Sequence, residues 1–188
     1  MKEKINKLFE KQLSKIKDAD MRKKVVTVWV EAAKEAGWKP HELENIPFTL
    51  LVDTKGINLI EHTIAVTEGA LGLATAIKEN YKKMPFEINF DWLTAGGLLH
   101  DVGKLLEVEK SEDGTFQKSH HGKHTRHPIS GAILAAQAGL SNEIVNIVAC
   151  HSKEGEGSPQ RIETVFVHQA DFAAFNPMAM LEKELLIV

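Results

Sequence analysis

The 188 residues are 43% hydrophobic and carry 23 Lys and Arg against 26 Asp and Glu, for a formal charge of -3. That length and apolar share fit one compact domain with a sizeable core, and the balanced charge excludes a general attraction to nucleic acid or to an acidic membrane. The single cysteine, Cys150, excludes an internal disulfide framework and suits a reducing compartment, so a cytoplasmic location is expected.

The opening residues, Met1-Lys2-Glu3-Lys4-Ile5, are charged and periodic, unlike a basic patch before an apolar block. No apolar run approaches the roughly 20 residues that a membrane span needs, so a soluble, unprocessed chain is expected. Ile5, Leu8, Phe9, Leu13 and Ile16 recur at helical spacing and predict one amphipathic helix with a lysine-rich outer face. Asp20 can cap a second helix through Val25, Val26, Val28, Trp29 and Ala32, closed by Gly37, with Trp29 in the core. Residues 41–54 read as a connector with a helical turn near His41 to Glu44. Residues 1–54 are therefore expected to be a helical segment packed on a core domain formed by residues 55–188.

Asn58-Leu59-Ile60-Glu61 has the spacing of a capping box and predicts a helix to about Lys78. His62 falls in its first turn, on the stripe that holds Val66, Ala70, Leu73 and Ile77, and so faces the interior. Beyond Pro85, Asn89 or Asp91 starts a central helix predicted to run through Leu106. It contains His100-Asp101-Val102-Gly103-Lys104 among leucines, with Lys104 one turn beyond His100. A buried carboxylate needs a cation or several donors, so this pair asks for a metal ion. Gly96 and Gly97 cost helix stability and imply close approach by a neighbour.

Residues 109–126 form a polar loop with His120, His121 and His124 and the basic Lys110, Lys118, Lys123 and Arg126. It reads either as a lid holding a substrate phosphate or as a solvated loop. His127-Pro128 begins a helix of small residues closed by Gly139, and Ser141 or Asn142 caps the next, which delivers His151 at its end. A last helix from about Gln160 carries His168 and Asp171, the latter an isolated acid in an apolar run.

His62, His100, His127 and His151 with Asp101 and Asp171 are too many ligands for one tetrahedral zinc with an open position. They fit two ions, each taking about two imidazoles, with Asp101 bridging. Nitrogen and oxygen donors without thiolate suit Fe, Mn, Zn, Co, Ni or Mg and do not choose among them.

In order, His62, His100-Asp101 with Gly103-Lys104, His127-Pro128, His151 and Asp171 resemble the HD-domain superfamily of metal-dependent phosphohydrolases over residues 58–175. His127 and His151 are similar to the extra ligands of its two-metal branch. The resemblance implies an all-α, multi-helix bundle with the metal site in its core. It also implies hydrolysis of a phosphoester bond in a nucleotide or other small phosphorylated substrate. The metal ligands would be His62, His100, Asp101, His127, His151 and Asp171. Asp101 and Lys104 would carry the catalysis, Lys104 binding a phosphate oxygen or holding a ligand carboxylate. His168 is set aside because the pattern supplies enough ligands without it. The chain lacks the Gly-Tyr-Pro signature of the branch that opens cyclic dinucleotides, which argues against that activity. A regulatory or scaffolding domain without turnover, or a di-iron oxygenase of the same superfamily, are the alternatives. Expected partners are the small substrate, with a homodimer allowed, and neither membrane nor strong nucleic-acid binding.

Overall fold

The computed structural model describes residues 1–187. The opening amphipathic stretch folds as two helices, α1 (Lys2–Leu8) and α2 (Glu10–Leu13), where the periodicity predicted one. The break falls at Phe9, whose backbone leaves helical geometry and whose ring packs on Trp29 with centroids 5.0 Å apart. Ile5, Phe9, Leu13 and Ile16 nevertheless all face the core, so the period survives the break. Helix α3 (Ala19–Glu35) is capped by Asp18 rather than Asp20. Asp18 Oδ1 accepts from the N–H groups of Asp20 and Met21, while Asp20 pairs with Lys24. The Trp29 indole donates to the carbonyl of Leu98, and the Trp38 indole to that of Leu105, at 2.9 and 2.8 Å. Two tryptophans from the first forty residues thus hold the backbone on either side of the His100-Asp101 pair.

Helix α4 (Leu59–Asn80) begins with the capping box read from the sequence, Asn58 and Glu61 each receiving the other's backbone N–H. The central apolar run departs from expectation. It divides into α5 (Phe90–Leu99), a turn, and α6 (Lys104–Glu107), with i to i+3 bonds such as Val102 N–H to Leu99 and Lys104 N–H to Asp101 between them. Gly103 accounts for this. A Cβ there would stand 2.1 Å from the carbonyl oxygen of His127, so only glycine lets the turn lie against the next helix. Gly96 and Gly97 also meet close neighbours: a Cβ on Gly96 would stand 2.5 Å from Ile147 Cγ2, and one on Gly97 2.9 Å from Thr67 Oγ1.

The expected polar loop is ordered instead as an antiparallel hairpin, β1 (Val108–Lys110) with β2 (Phe116–Lys118), followed by α7 (His120–His124). Asp113-Gly114 makes its turn, Gly114 sitting at positive φ and Asp113 accepting from Ser111 and Thr115. Helix α8 (His127–Gln137) packs on α9 (Asn142–Cys150), and α10 (Ile162–Glu182) lies along α4 and α5. One apolar cluster joins α1, α3, α5, α8 and α9, and a second joins α4, α5, α9 and α10. The result is an all-α bundle with a cluster of His and Asp side chains in its core. No described helix is long and apolar enough to cross a membrane.

Candidate metal centre

Asp101 sits in the turn between α5 and α6 and is fully buried. Its two oxygens face different neighbours. Oδ2 lies 3.3 Å from His62 Nε2, 3.4 Å from His100 Nε2 and 2.5 Å from Lys104 Nζ. Oδ1 lies 3.1 Å from His127 Nε2 and 3.7 Å from His151 Nε2. On the first side His62 Nε2 also approaches Asp171 Oδ1 at 3.1 Å. Six side chains from α4, the α5–α6 turn, α8, the end of α9 and α10 therefore converge in two sets that share Asp101. The sets are His62, His100, Asp101 and Asp171, and Asp101, His127 and His151.

Each imidazole is aimed by its surroundings. His100 Nδ1 meets the Gly97 carbonyl at 2.7 Å, His151 Nδ1 the Val148 carbonyl at 2.8 Å, and His127 Nδ1 a carboxylate oxygen of Glu107 at 2.7 Å. A carbonyl oxygen only accepts, so Nδ1 of His100 and His151 carries the proton and Nε2 is left as a bare lone pair. His62 is instead held flat against Phe48, with ring centroids 4.5 Å apart. The lone pairs and carboxylate oxygens point at one another. The buried Nε2 atoms of His62, His100 and His151 and Asp101 Oδ1 have no hydrogen-bond partner among the described residues. Acceptors facing acceptors without water are costly unless a cation lies between them. Two ligand atoms about 2.1 Å from one divalent ion stand about 3.0–3.4 Å apart at octahedral or tetrahedral angles. The N···O separations of 3.1–3.4 Å in the first set match that spacing. The residues fit a divalent metal.

The electrostatics prepare these groups to bind one. Burial works against the charge on Asp101, but the Lys104 ammonium together with the imidazoles of His100 and His127 outweighs it and holds the carboxyl well below its ordinary range. Asp171 is half-buried, which works against its charge, yet its approach to His62, with the nearby His100 and Lys104, brings it down to about 2. Burial pushes His127 down to about 4, which keeps the imidazole neutral and able to donate its lone pair. For His62 burial also disfavours the charge, and the carboxylates of Asp101 and Asp171 reverse that and raise it above its usual value.

Lys104 does not continue the helix of His100 as the spacing predicted, because the turn intervenes. It reaches back to Asp101 Oδ2 and to the Phe48 carbonyl at 2.6 Å. His168 lies outside both sets, and its Nδ1 bonds the His151 carbonyl at 2.7 Å. His120, His121 and His124 are also outside: His121 bonds Ser130, and His124 bonds the carbonyl of His120. Lys118 and Arg126 border the site, but Lys110 and Lys123 do not. A cavity of about 410 Å³ opens beside the two sets, lined by Phe48, Lys104, Glu107, His127, Asp171 and Phe172 among others.

A family model described as HD domain matches residues 59–174. The chain belongs to the HD domain family. The match begins at the first residue of α4 and ends in α10, so it contains all six converging side chains. The HD-domain chain is 39% identical over 119 residues to a dihydroneopterin 2',3'-cyclic phosphate phosphodiesterase of Methanocaldococcus jannaschii, covering 61% of this chain and 45% of that protein. It is 32% identical over 128 residues to ribonuclease Y of Thermotoga maritima, covering 68% of this chain and 20% of the relative. The chain thus spans less than half the length of both relatives. No solved structure matches it.

Two HD-domain residues at the site escaped the sequence reading. Glu107 falls between the predicted end of the central helix at Leu106 and the polar loop from Glu109, and the available signal was an acid directly after Leu105 and Leu106 that breaks the apolar run. Phe48 gave none, since it comes from a connector and meets His62 only through the tertiary fold.

Proposed function

We propose that the chain is a metal-dependent phosphohydrolase that uses two divalent ions to cleave a phosphoester bond of a small substrate. The single observation that carries this reading is the division of Asp101, with one oxygen turned to each of two sets of metal-capable atoms. His62, His100, Asp101 and Asp171 would hold one ion, and Asp101, His127 and His151 the other. Divalent ions in such a pair supply Lewis acidity toward phosphoryl oxygens and make water acidic enough to attack at neutral pH.

The chain's own residues do the rest. Lys104 neutralises Asp101 and sets its orientation from the cavity wall. Phe48 keeps the His62 ring in plane and closes that side of the site. Glu107 keeps His127 in the tautomer whose Nε2 faces inward. Residues 55–188 carry the chemistry in this reading. Residues 1–54 support it through Trp29 and Trp38, which hold the backbone around the His100-Asp101 turn.

The name of the Methanocaldococcus jannaschii relative favours a phosphodiester, a cyclic one first, and a nucleotide is the small substrate proposed here. A cytoplasmic setting and a homodimer belong to the same proposal. The test is a turnover screen of 2',3'-cyclic nucleotides, linear dinucleotides and phosphomonoesters with the Mn, Fe, Co and Zn forms of the protein. Release of a phosphomonoester from a diester in at least one metal form supports the proposal. No turnover of any phosphoester by protein shown to hold two ions sinks it.

A further inference from the structure

The cavity beside the metal-facing residues has a second charged end. There Glu107 Oε1 faces Lys118 Nζ at 3.9 Å and Arg126 Nη1 at 3.6 Å, both beyond hydrogen-bond length. Glu107's other oxygen is already occupied by His127. Arg126 gives its Nε to Glu154 at 3.0 Å, and its two terminal nitrogens donate to nothing among the described residues. Lys153 also lines the cavity. Apart from Lys104 and the metal-facing Asp171, the lining holds three cations, Lys118, Arg126 and Lys153, against two carboxylates, Glu107 and Glu154, so one positive charge is in excess at the wall of the cavity. Lys104 is different, since its ammonium is committed to Asp101 and to Phe48.

Position gives the surplus charge a meaning. From Asp101 the contacts run to His127, then to Glu107, then to Arg126, so an imidazole and a carboxylate lie in series between the metal-facing atoms and the terminal nitrogens of Arg126. A phosphate held at Asp101 is served by that first group of residues. Phe172, Phe175 and Leu51 form an apolar wall of the same cavity, suited to an organic body. We infer that Lys118 and Arg126 form a subsite for a second anionic group, so the substrate is a phosphoester that carries a further phosphate or carboxylate beyond the one that is cut. Arginine offers paired donors to such a group, and lysine adds a mobile point charge. The inference rests on the phosphohydrolase reading for which group is cut, but its test does not.

Binding to the metal-loaded protein is measured by calorimetry at fixed ionic strength, with adenosine 5'-monophosphate and adenosine 3',5'-bisphosphate as probes. The wild type is expected to bind the bisphosphate at least tenfold more tightly. Arg126→Gln and Lys118→Met are each expected to reduce that preference below threefold and to leave monophosphate binding within threefold. Lys110→Met and Lys123→Met, on the same segment but away from the cavity, are expected to keep it. Helical circular dichroism and metal content confirm that each variant is folded and loaded, and Lys118→Met stands alone if Arg126→Gln is not. Absence of a preference in the wild type, or its survival in the folded variants, overturns the subsite. A retained preference in a protein that hydrolyses no phosphoester would overturn the proposed function and leave the subsite standing.

Discussion

Glu107 accepts two hydrogen bonds from His127 at one oxygen, from the backbone N–H at 3.0 Å and from Nδ1 at 2.7 Å. The pair fixes both the first residue of α8 and the direction of its ring. An imidazole whose outer nitrogen is bonded to a carboxylate is also a more basic ligand. Glu107→Gln keeps the shape and removes the charge. It is expected to leave the thermal melt of the metal-free protein within a few degrees and to weaken one of two bound ions by roughly 10–100-fold. Metal titration of the apoprotein checks this. Unchanged affinity for both ions would reduce Glu107 to a support for the fold.

Gly103 and Gly72 make a matched pair. A Cβ at Gly103 would fall 2.1 Å from the His127 carbonyl oxygen and 2.8 Å from the Gly131 backbone nitrogen, neither of which can swing aside. Gly103→Ala must therefore push the α5–α6 turn away from α8, separating Asp101 from His127. Gly72 lies on the exposed face of α4 with nothing within 4 Å of its would-be Cβ. Gly72→Ala is expected to stabilise the protein by about 0.5–1 kcal/mol through helix propensity. Gly103→Ala is expected to destabilise it by more than about 2 kcal/mol. Thermal melts of both variants check the signs, and an ordinary melt for Gly103→Ala would mean that the turn has room the distances deny.

These glycines also mark where the sequence stopped being readable. The inward aim of His62 and Asp171 was legible because each interrupts an apolar helical stripe, and burial of a polar group on such a stripe is a local signal. The break after Leu99 was not, because the apolar spacing continues through it and the cause, the backbone of His127, is 24 residues away in the chain. The hairpin was hidden by its length of three residues per strand, although Asp113-Gly114 with Val108 and Phe116 on either side carried a weak turn signal. The cap was placed two residues late because Asp18 and Asp20 are equally suited by type; in the structure Asp18 caps the helix and Asp20, already inside it, pairs with Lys24.

The sharing of Asp101 can be tested by removing ligands from one side at a time. His127→Ala and His151→Ala remove atoms that face only Oδ1, and Asp171→Asn alters one that belongs only to the other set. Wild type is expected to hold two ions per chain. Each of the two alanine variants is expected to hold one, with turnover reduced by at least about 100-fold and the helical circular dichroism signal retained. Plasma emission analysis after gel filtration gives the count. One ion in the wild type, retained in both variants, would end the two-ion assignment.

The metal-free protein should lose stability on both sides of a maximum near the ordinary histidine pKa. His127 is held at about 4 against a usual 6.5. Between those values the unfolded chain takes up a proton that the folded chain refuses, so acidification favours unfolding, by on the order of 3 kcal/mol across the window. Asp171, at about 2 against 3.8, extends the loss in the same direction below pH 3.8. His62 has the opposite sign. Its folded value is raised, so its contribution is complete below 6.5 and is lost as the pH climbs through that raised value. An ion entering the first set must expel that proton, and binding therefore strengthens with pH. Melts in EDTA and in excess Mn from pH 5 to 8 should show a metal-free Tm that falls toward both ends and a metal-induced rise that is larger at pH 8 than at pH 6. A rise of equal size at every pH would mean that the ion is held without these imidazoles.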